Sequence, residues 1–169
     1  MFHAMSKPPA IPYVHKVMAS PVGRLTLIGN DDGLAAVLWP NDKPGRVRLT
    51  SAREDGGHPV LREAAKQLAE YFAGKRRVFK LKLNMQGTVF QKRVWNALLT
   101  IPFGETRSYA EIARAIGRPT ASRAVGAANG RNPVSIVAPC HRVVGTNGAL
   151  TGFAGGLAAK ARLLKLERG

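Results

Sequence analysis

Residues 137–145 read VAPCHRVVG and set Cys140, the only cysteine of the 169-residue chain, between Pro139 and His141. A thiolate is a soft nucleophile, and an imidazole is well matched to taking up a thiol proton near neutral pH. A free thiol of pKa about 8.5 is only a few per cent ionised at neutral pH. Such a pair therefore needs a positive field around the sulfur and a carboxylate that orients the imidazole. After residue 86 the acidic side chains are Glu105, Glu111 and Glu167. Glu111 falls at the start of a helix opened by Ser108, which leaves Glu167 as the better orienting carboxylate and Glu105 as the next. A lone cysteine is more often a small buried hydrophobe than a nucleophile. Pro139 fixes its own φ and biases Ala138 toward extended backbone, and Asn132-Pro133 marks a second constrained turn, so here the thiol is held in place.

The rest of the composition bounds the chemistry. One cysteine forms no internal disulfide, and the histidines (His3, His15, His58, His141) have neither H-x-x-x-H nor C-x-x-C spacing, so neither a metal nor a cofactor is expected. Lys and Arg number 26 against 10 Asp and Glu, a formal net charge of +16. Such a field gathers polyanions. The aromatic share of 7% favours a duplex partner over a platform stacking single-stranded bases. No stretch approaches the roughly 18 uninterrupted apolar residues of a membrane span, and the start has no signal-peptide core. A cytoplasmic protein with no membrane partner is expected.

These side chains must be positioned by regular elements. The tail over 6–12 is proline-rich and reads as irregular. Strand-type runs come next at 15–20 and 25–29, joined by PVGR, and at 34–39 after the turn signal NDDG. A further short strand is expected at 47–49 and an alternating edge strand at 78–83. LREAAKQLAEYFAG (61–74) has helical apolar spacing closed by Gly74. From Gly87 the pattern turns helical. Phe90, Val94, Trp95, Leu98 and Leu99 share one face of a helix ending at Pro102. SYAEIARAIG (108–117) opens on a Ser108–Glu111 capping box and faces the core with Ile112, Ala113 and Ile116. PTASRAVGAANG (119–130) reads as a helix with Pro119 in its first turn. The last helix, 155–167, is expected to bury Leu157, Ala161, Leu164 and Leu166. The fold class expected is α+β: a strand-rich half with an antiparallel sheet and a helix (1–86), packed on a mostly helical half (87–169).

Residues 108–130 make a helix-turn-helix pattern, although two packed helices that never meet DNA would look the same. The second helix carries Ala121, Ser122, Ala124, Gly126, Ala127 and Ala128 around a single long side chain, Arg123. Small residues bury little apolar area as core but allow close approach to a groove. A lone arginine there can neutralise phosphate or enter the space left by an unstacked base.

With those residues in place, the segment 121–167 closely resembles the O6-alkylguanine-DNA alkyltransferases, the methylated-DNA–protein-cysteine methyltransferases. R-A-V-G, A-N-G-x-N-P, P-C-H-R-V and G-G-L-x-x-K occur in order and spacing, and the likeness runs back through SYAEIA and FQKRVWNALLTIPFGET. It is strong over 87–168 and loose before that. The resemblance implies direct transfer of an alkyl group from O6-alkylguanine, and from O4-alkylthymine, to Cys140. One molecule then repairs one lesion, after minor-groove binding and nucleotide flipping. It implies that His141 acts on the thiol through a water, that Glu167 orients His141, and that Asn132 holds the turn. Tyr109 would hydrogen-bond a ring nitrogen of the leaving guanine. It further implies DNA contact by Ser108, Tyr109, Ala121, Ser122, Arg123, Ala124 and Gly126, and a base pocket of Phe153, Tyr109, Val143 and Gly155. The partner implied is double-stranded DNA bearing alkylated guanine, met by a monomer that can cluster on DNA. The chain departs from the family pattern in having Phe153, followed by Ala154, where tyrosine is commoner. It also lacks the cysteines for a zinc site or a second methyl-accepting domain.

Overall fold

A computed structural model describes residues 11–49 and 53–169. His3 and most of the proline-rich tail lie outside the described residues. The N-terminal half is built on a meander of β1 (Val14–Met18), β2 (Leu25–Asn30) and β3 (Gly33–Leu38), paired antiparallel. A short β4 (Arg53–Glu54) pairs parallel with β1, giving the order β3-β2-β1-β4. The sheet packs on α1 (Pro59–Phe72), where His58 caps the first turn by accepting the Val60 amide on Nδ1. Leu61, Ala64, Leu68 and Tyr71, at helical spacing, are all fully buried on the sheet.

Two strand expectations are corrected. Residues 47–49 form no strand, and the added strand is Arg53–Glu54. Residues 78–83 alternate in exposure as expected but make no strand, only a bridge from Leu83 to Leu34. The reason lies on the outer edge of β3, which two segments divide. Leu34 bonds Lys82 and Asn84 at one end, and the Val37 amide donates to the Pro133 carbonyl at 2.8 Å at the other. The segment before the thiol thus occupies the edge an extra strand would need.

The C-terminal half comprises α2 (Val89–Leu98), α3 (Tyr109–Ala115), α4 (Ser122–Gly130) and α5 (Leu157–Arg168). A two-residue β5 (Arg107–Ser108) pairs parallel with β6 (Val143–Val144). The reciprocal capping box sits at Thr88 and Gln91 of α2. At α3 the Ser108 hydroxyl accepts the Glu111 amide. Val94, Trp95 and Leu98 of α2 are buried against Ile112, Ala113, Val125 and Ala128, and Trp95 Nε1 donates to the Ala128 carbonyl at 2.8 Å. Leu99, at 42% exposed, lies off that face.

Two helices differ from expectation. The second helix of the pair starts at Ser122, not Pro119. The Ala121 amide closes a turn on the Arg118 carbonyl, and Ala121 has no side chain able to cap. On α5 the buried face is Lys160, Leu163, Leu164 and Glu167, while Leu157 is half exposed and Ala161 exposed. Two charged residues seven apart on the buried face shift the apolar pattern away from the true core side.

Candidate active site

The thiol sits on a turn built before the chain reaches it. Asn132 Oδ1 accepts the Val134 amide at 3.1 Å, and its Nδ2 donates to the Ala138 carbonyl at 2.7 Å. The Ala138 amide returns to the Val134 carbonyl. Within this loop Ile136 is fully buried at φ +75°, a left-handed conformation that a β-branched side chain adopts only when its surroundings impose it. The chain then enters a single 3-10 turn, Cys140–Arg142, whose far end is tied by β6 to β5.

Cys140 is 2% exposed and belongs to the buried cluster that includes Val94, Trp95, Ala128 and Val143. Burial pushes its thiol pKa up, opposed by hydrogen bonding from Asn132 and Ser135 and by the charges of Arg46 and Lys160. The resting group is a thiol, with groups that favour the thiolate already placed. Arg46, paired with Asp42, also donates to the Asn132 carbonyl at 2.8 Å.

His141, Glu167, Arg142 and Tyr71 form one buried network. Glu167 Oε2 accepts from His141 Nε2 at 2.6 Å, Tyr71 Oη at 2.6 Å and Arg142 at 3.1 Å. Its Oε1 accepts from Arg142 Nε at 2.7 Å and the Gly104 amide at 3.2 Å. Burial alone would raise the Glu167 pKa, but hydrogen bonds from His141, Arg142 and Tyr71 hold the carboxyl at about 2. An ionised carboxylate only accepts, so His141 Nε2 carries the hydrogen. Burial lowers the His141 pKa, leaving a neutral ring. Its Nδ1 is buried without a hydrogen-bond partner, a free lone pair one residue from the thiol. Glu105, the other candidate carboxylate, instead pairs with Arg107 at the surface.

The residues expected to meet DNA and base are spread over distinct surroundings. Tyr109 Oη lies 2.6 Å from Thr151 Oγ1, and Tyr109, Ser122, Arg123 and Gly126 line a cavity of about 350 Å³. Arg123 and Ala124 are exposed, Ala121, Ser122 and Gly126 half-buried. Ala128, expected among the groove-facing small residues, is core, and with Val125 and Asn129 it turns inward. Phe153 is half-buried and lines a separate cavity of about 700 Å³ with Gly126, Ala127 and Gly130 of α4. Val143 is fully buried beside Cys140, not on an open wall, and its carbonyl accepts from Lys160 Nζ at 2.6 Å. Gly155 sits against the Trp39 indole, where an added Cβ would lie 2.6 Å from Cδ2.

Sequence reasoning missed Tyr71, Arg142, Lys160, Ser135 and Trp39. Arg142 stands inside P-C-H-R-V, where adjacency to the thiol and imidazole was its only signal. The other signal was Lys160 and Glu167 seven residues apart, two turns along one helix face. Among the described residues no group of three metal-ligating side chains occurs, and no helix is long and apolar enough to cross a membrane.

Comparison with known proteins gives this geometry its context. Residues 13–85 match the 6-O-methylguanine DNA methyltransferase ribonuclease-like domain, and residues 89–169 match the DNA binding domain of the same name. A methylated-DNA–protein-cysteine methyltransferase of Methanosarcina acetivorans is 50% identical over 153 residues, covering 90% of this chain and 97% of its own length. The Mycobacterium tuberculosis protein of that name is 49% identical over 156 residues, covering 91% of this chain and 92% of its own length. Mycobacterium tuberculosis OGT, crystallised in complex with DNA, superposes with a TM-score of 0.84 at 47% identity, covering 94% of this chain and 93% of that one. The chain belongs to the 6-O-methylguanine DNA methyltransferase family.

Proposed function

We propose that this protein repairs alkylated DNA by moving the alkyl group from guanine O6 to Cys140 Sγ, one lesion per molecule, with O4-alkylthymine as a further substrate. The observation that carries the reading is the buried His141 ring, next to Cys140 in sequence, anchored through Nε2 on ionised Glu167 with its buried Nδ1 left without a hydrogen-bond partner. The thiol proton passes to Nδ1, directly or through one water, as the sulfur attacks. The new imidazolium is stabilised by Glu167. Sulfur forms a bond to the alkyl carbon while the carbon–O6 bond breaks and its electron pair goes to guanine. Tyr109 donates a hydrogen bond to the departing ring, offsetting its developing charge. The product thioether has no leaving path at neutral pH, so the molecule is spent.

The alkylated oxygen lies inside a duplex, so the nucleotide must leave the stack. In this reading Arg123, exposed at the start of α4, fills the gap, and the exposed Ala124 and Ala127 let the helix approach the minor groove. Asn132 holds the thiol turn, and Phe153 walls the base with a ring that brings no hydroxyl. In this reading the protein reacts as a monomer, clusters on DNA and resides in the cytoplasm.

Incubation with duplex DNA containing O6-methylguanine, and then mass analysis of the peptide bearing Cys140, tests the reading. One equivalent of added methyl supports it. Unchanged mass with tight lesion binding would reassign the protein as a lesion binder, and repeated turnover would reassign it as a hydrolase.

A further inference from the structure

One side chain of the N-terminal sheet touches both walls of the candidate site. Trp39, just beyond β3 and 4% exposed, donates from Nε1 to Ser135 Oγ at 3.1 Å, 96 residues away in sequence. Ser135 lies in the turn that carries the thiol, bridged to Ala138. The same indole meets the Phe153 ring edge-on, centroids 5.3 Å apart at 70°. It also closes over Gly155, where any β-carbon would collide with its ring. The backbone that carries the indole is itself tied, because the Trp39 amide donates to Asp42 Oδ2 at 3.1 Å and Asp42 is paired with Arg46.

The segment 151–156 has little else to hold it. Its backbone bonds are a local turn from the Gly156 amide to the Phe153 carbonyl and the Lys160 amide to the Gly156 carbonyl at the start of α5, and Gly152, Gly155 and Gly156 leave the rest conformationally loose. The Tyr109–Thr151 contact secures one end, and Lys160 Nζ stands 5.9 Å from the Phe153 ring centroid. Phe153 therefore stands between the indole behind it and the cavity shared with α4 in front.

We infer that Trp39 is a positioning residue that sets the spacing between the Cys140 turn and the Phe153 loop, and so the size of alkyl group the site accepts. The inference rests on the transfer reading above. Removing the indole lets Phe153 fall back and widens the site. Adding a β-carbon at 155 drives the loop off the indole into the cavity and narrows it. The two changes act with opposite sign on one ratio.

The experiment measures single-turnover rates on duplexes bearing O6-methylguanine and O6-benzylguanine. Wild-type transfer of methyl establishes the underlying reaction independently of the ratio. Trp39→Leu should raise the benzyl-to-methyl ratio by about tenfold, the scale on which a pocket discriminates a methylene or two. Gly155→Ala should lower the ratio, and Trp39→Phe, which keeps an edge contact, should stay near wild type. A ratio unmoved by Trp39→Leu, or moved the same way by Gly155→Ala, overturns the inference. Should Trp39→Leu fail to fold, melting of Gly155→Ala alone and combined with Trp39→Phe provides a second reading. The smaller ring should recover stability lost to the β-carbon, and losses that merely add would overturn the inference.

Discussion

Tyr71 on the first helix donates its hydroxyl to Glu167 on the last, 2.6 Å away across 96 residues of sequence. The carboxylate that anchors His141 is thus fixed from the N-terminal half as well as from the thiol's own turn. The half that carries neither thiol nor helix-turn-helix helps to orient the His141 ring.

Tyr71→Phe keeps the buried ring and deletes one donor to a charged acceptor. The loss expected is about 1.5–3 kcal/mol of stability, read by denaturant unfolding. With one hydrogen bond fewer the carboxylate becomes more basic and the imidazole easier to protonate. The acid limb of the transfer rate against pH should therefore move to higher pH. A stability loss with an unmoved limb would reduce Tyr71 to packing.

Stability should also respond to pH in two windows. Burial raises the Cys140 pKa in the folded state, so its contribution is complete below the unfolded value and fades as pH rises past about 8.5. Cys140→Ala should lack that alkaline decline relative to wild type. On the acid side, the His141 pKa is lowered and that of Glu167 is held at about 2. Both contributions are present above the unfolded values and are lost as pH falls, first below about 6.5 and then below about 4.3. Unfolding free energies measured across pH check both windows.

Arg123→Ala removes a long exposed side chain from α4 without touching the buried network. Repair of duplex substrate should slow by about tenfold, or about 1.4 kcal/mol of barrier. Reaction with the free alkylguanine base should hold near wild type. Equal losses on both substrates would remove the gap-filling role.

Binding to duplex DNA should weaken steeply with ionic strength, because the chain carries a net charge of +16. A surface making six or more phosphate contacts loses about a thousandfold in affinity between about 50 and about 200 mM salt. Fluorescence titration of a labelled duplex measures the slope, and a flat response would contradict the polyanion reading.

Legibility in the sequence tracked the range of each signal. Cys140 and His141 are neighbours, and Glu167 emerged because acidic residues are scarce after residue 86. The helices of the second half announced themselves by period and caps, and with them the α+β class. Tyr71 and Trp39 stayed hidden because nothing in the sequence around them marks them as part of the site. Only tertiary packing brings them to partners about a hundred positions away. Lys160, the lysine of G-G-L-x-x-K, was given no role because a charged residue on a helix is normally solvated. Here its ammonium is buried on the Val143 carbonyl. The strand at 78–83 failed because a local alternation cannot know that the edge beside it is already occupied.

If Cys140 accepts the alkyl group as proposed, its burial also governs what becomes of the molecule afterwards. Its sulfur sits among close-packed neighbours in the heart of the helical half. A carbon fixed there adds volume to that packing, a form of overfilling that typically costs about 1–3 kcal/mol. The adduct would also remove the thiol proton that His141 takes in that reading. On that reading the alkylated molecule would be a distinct, looser species, and the heavier the group it has received, the more readily it should come apart.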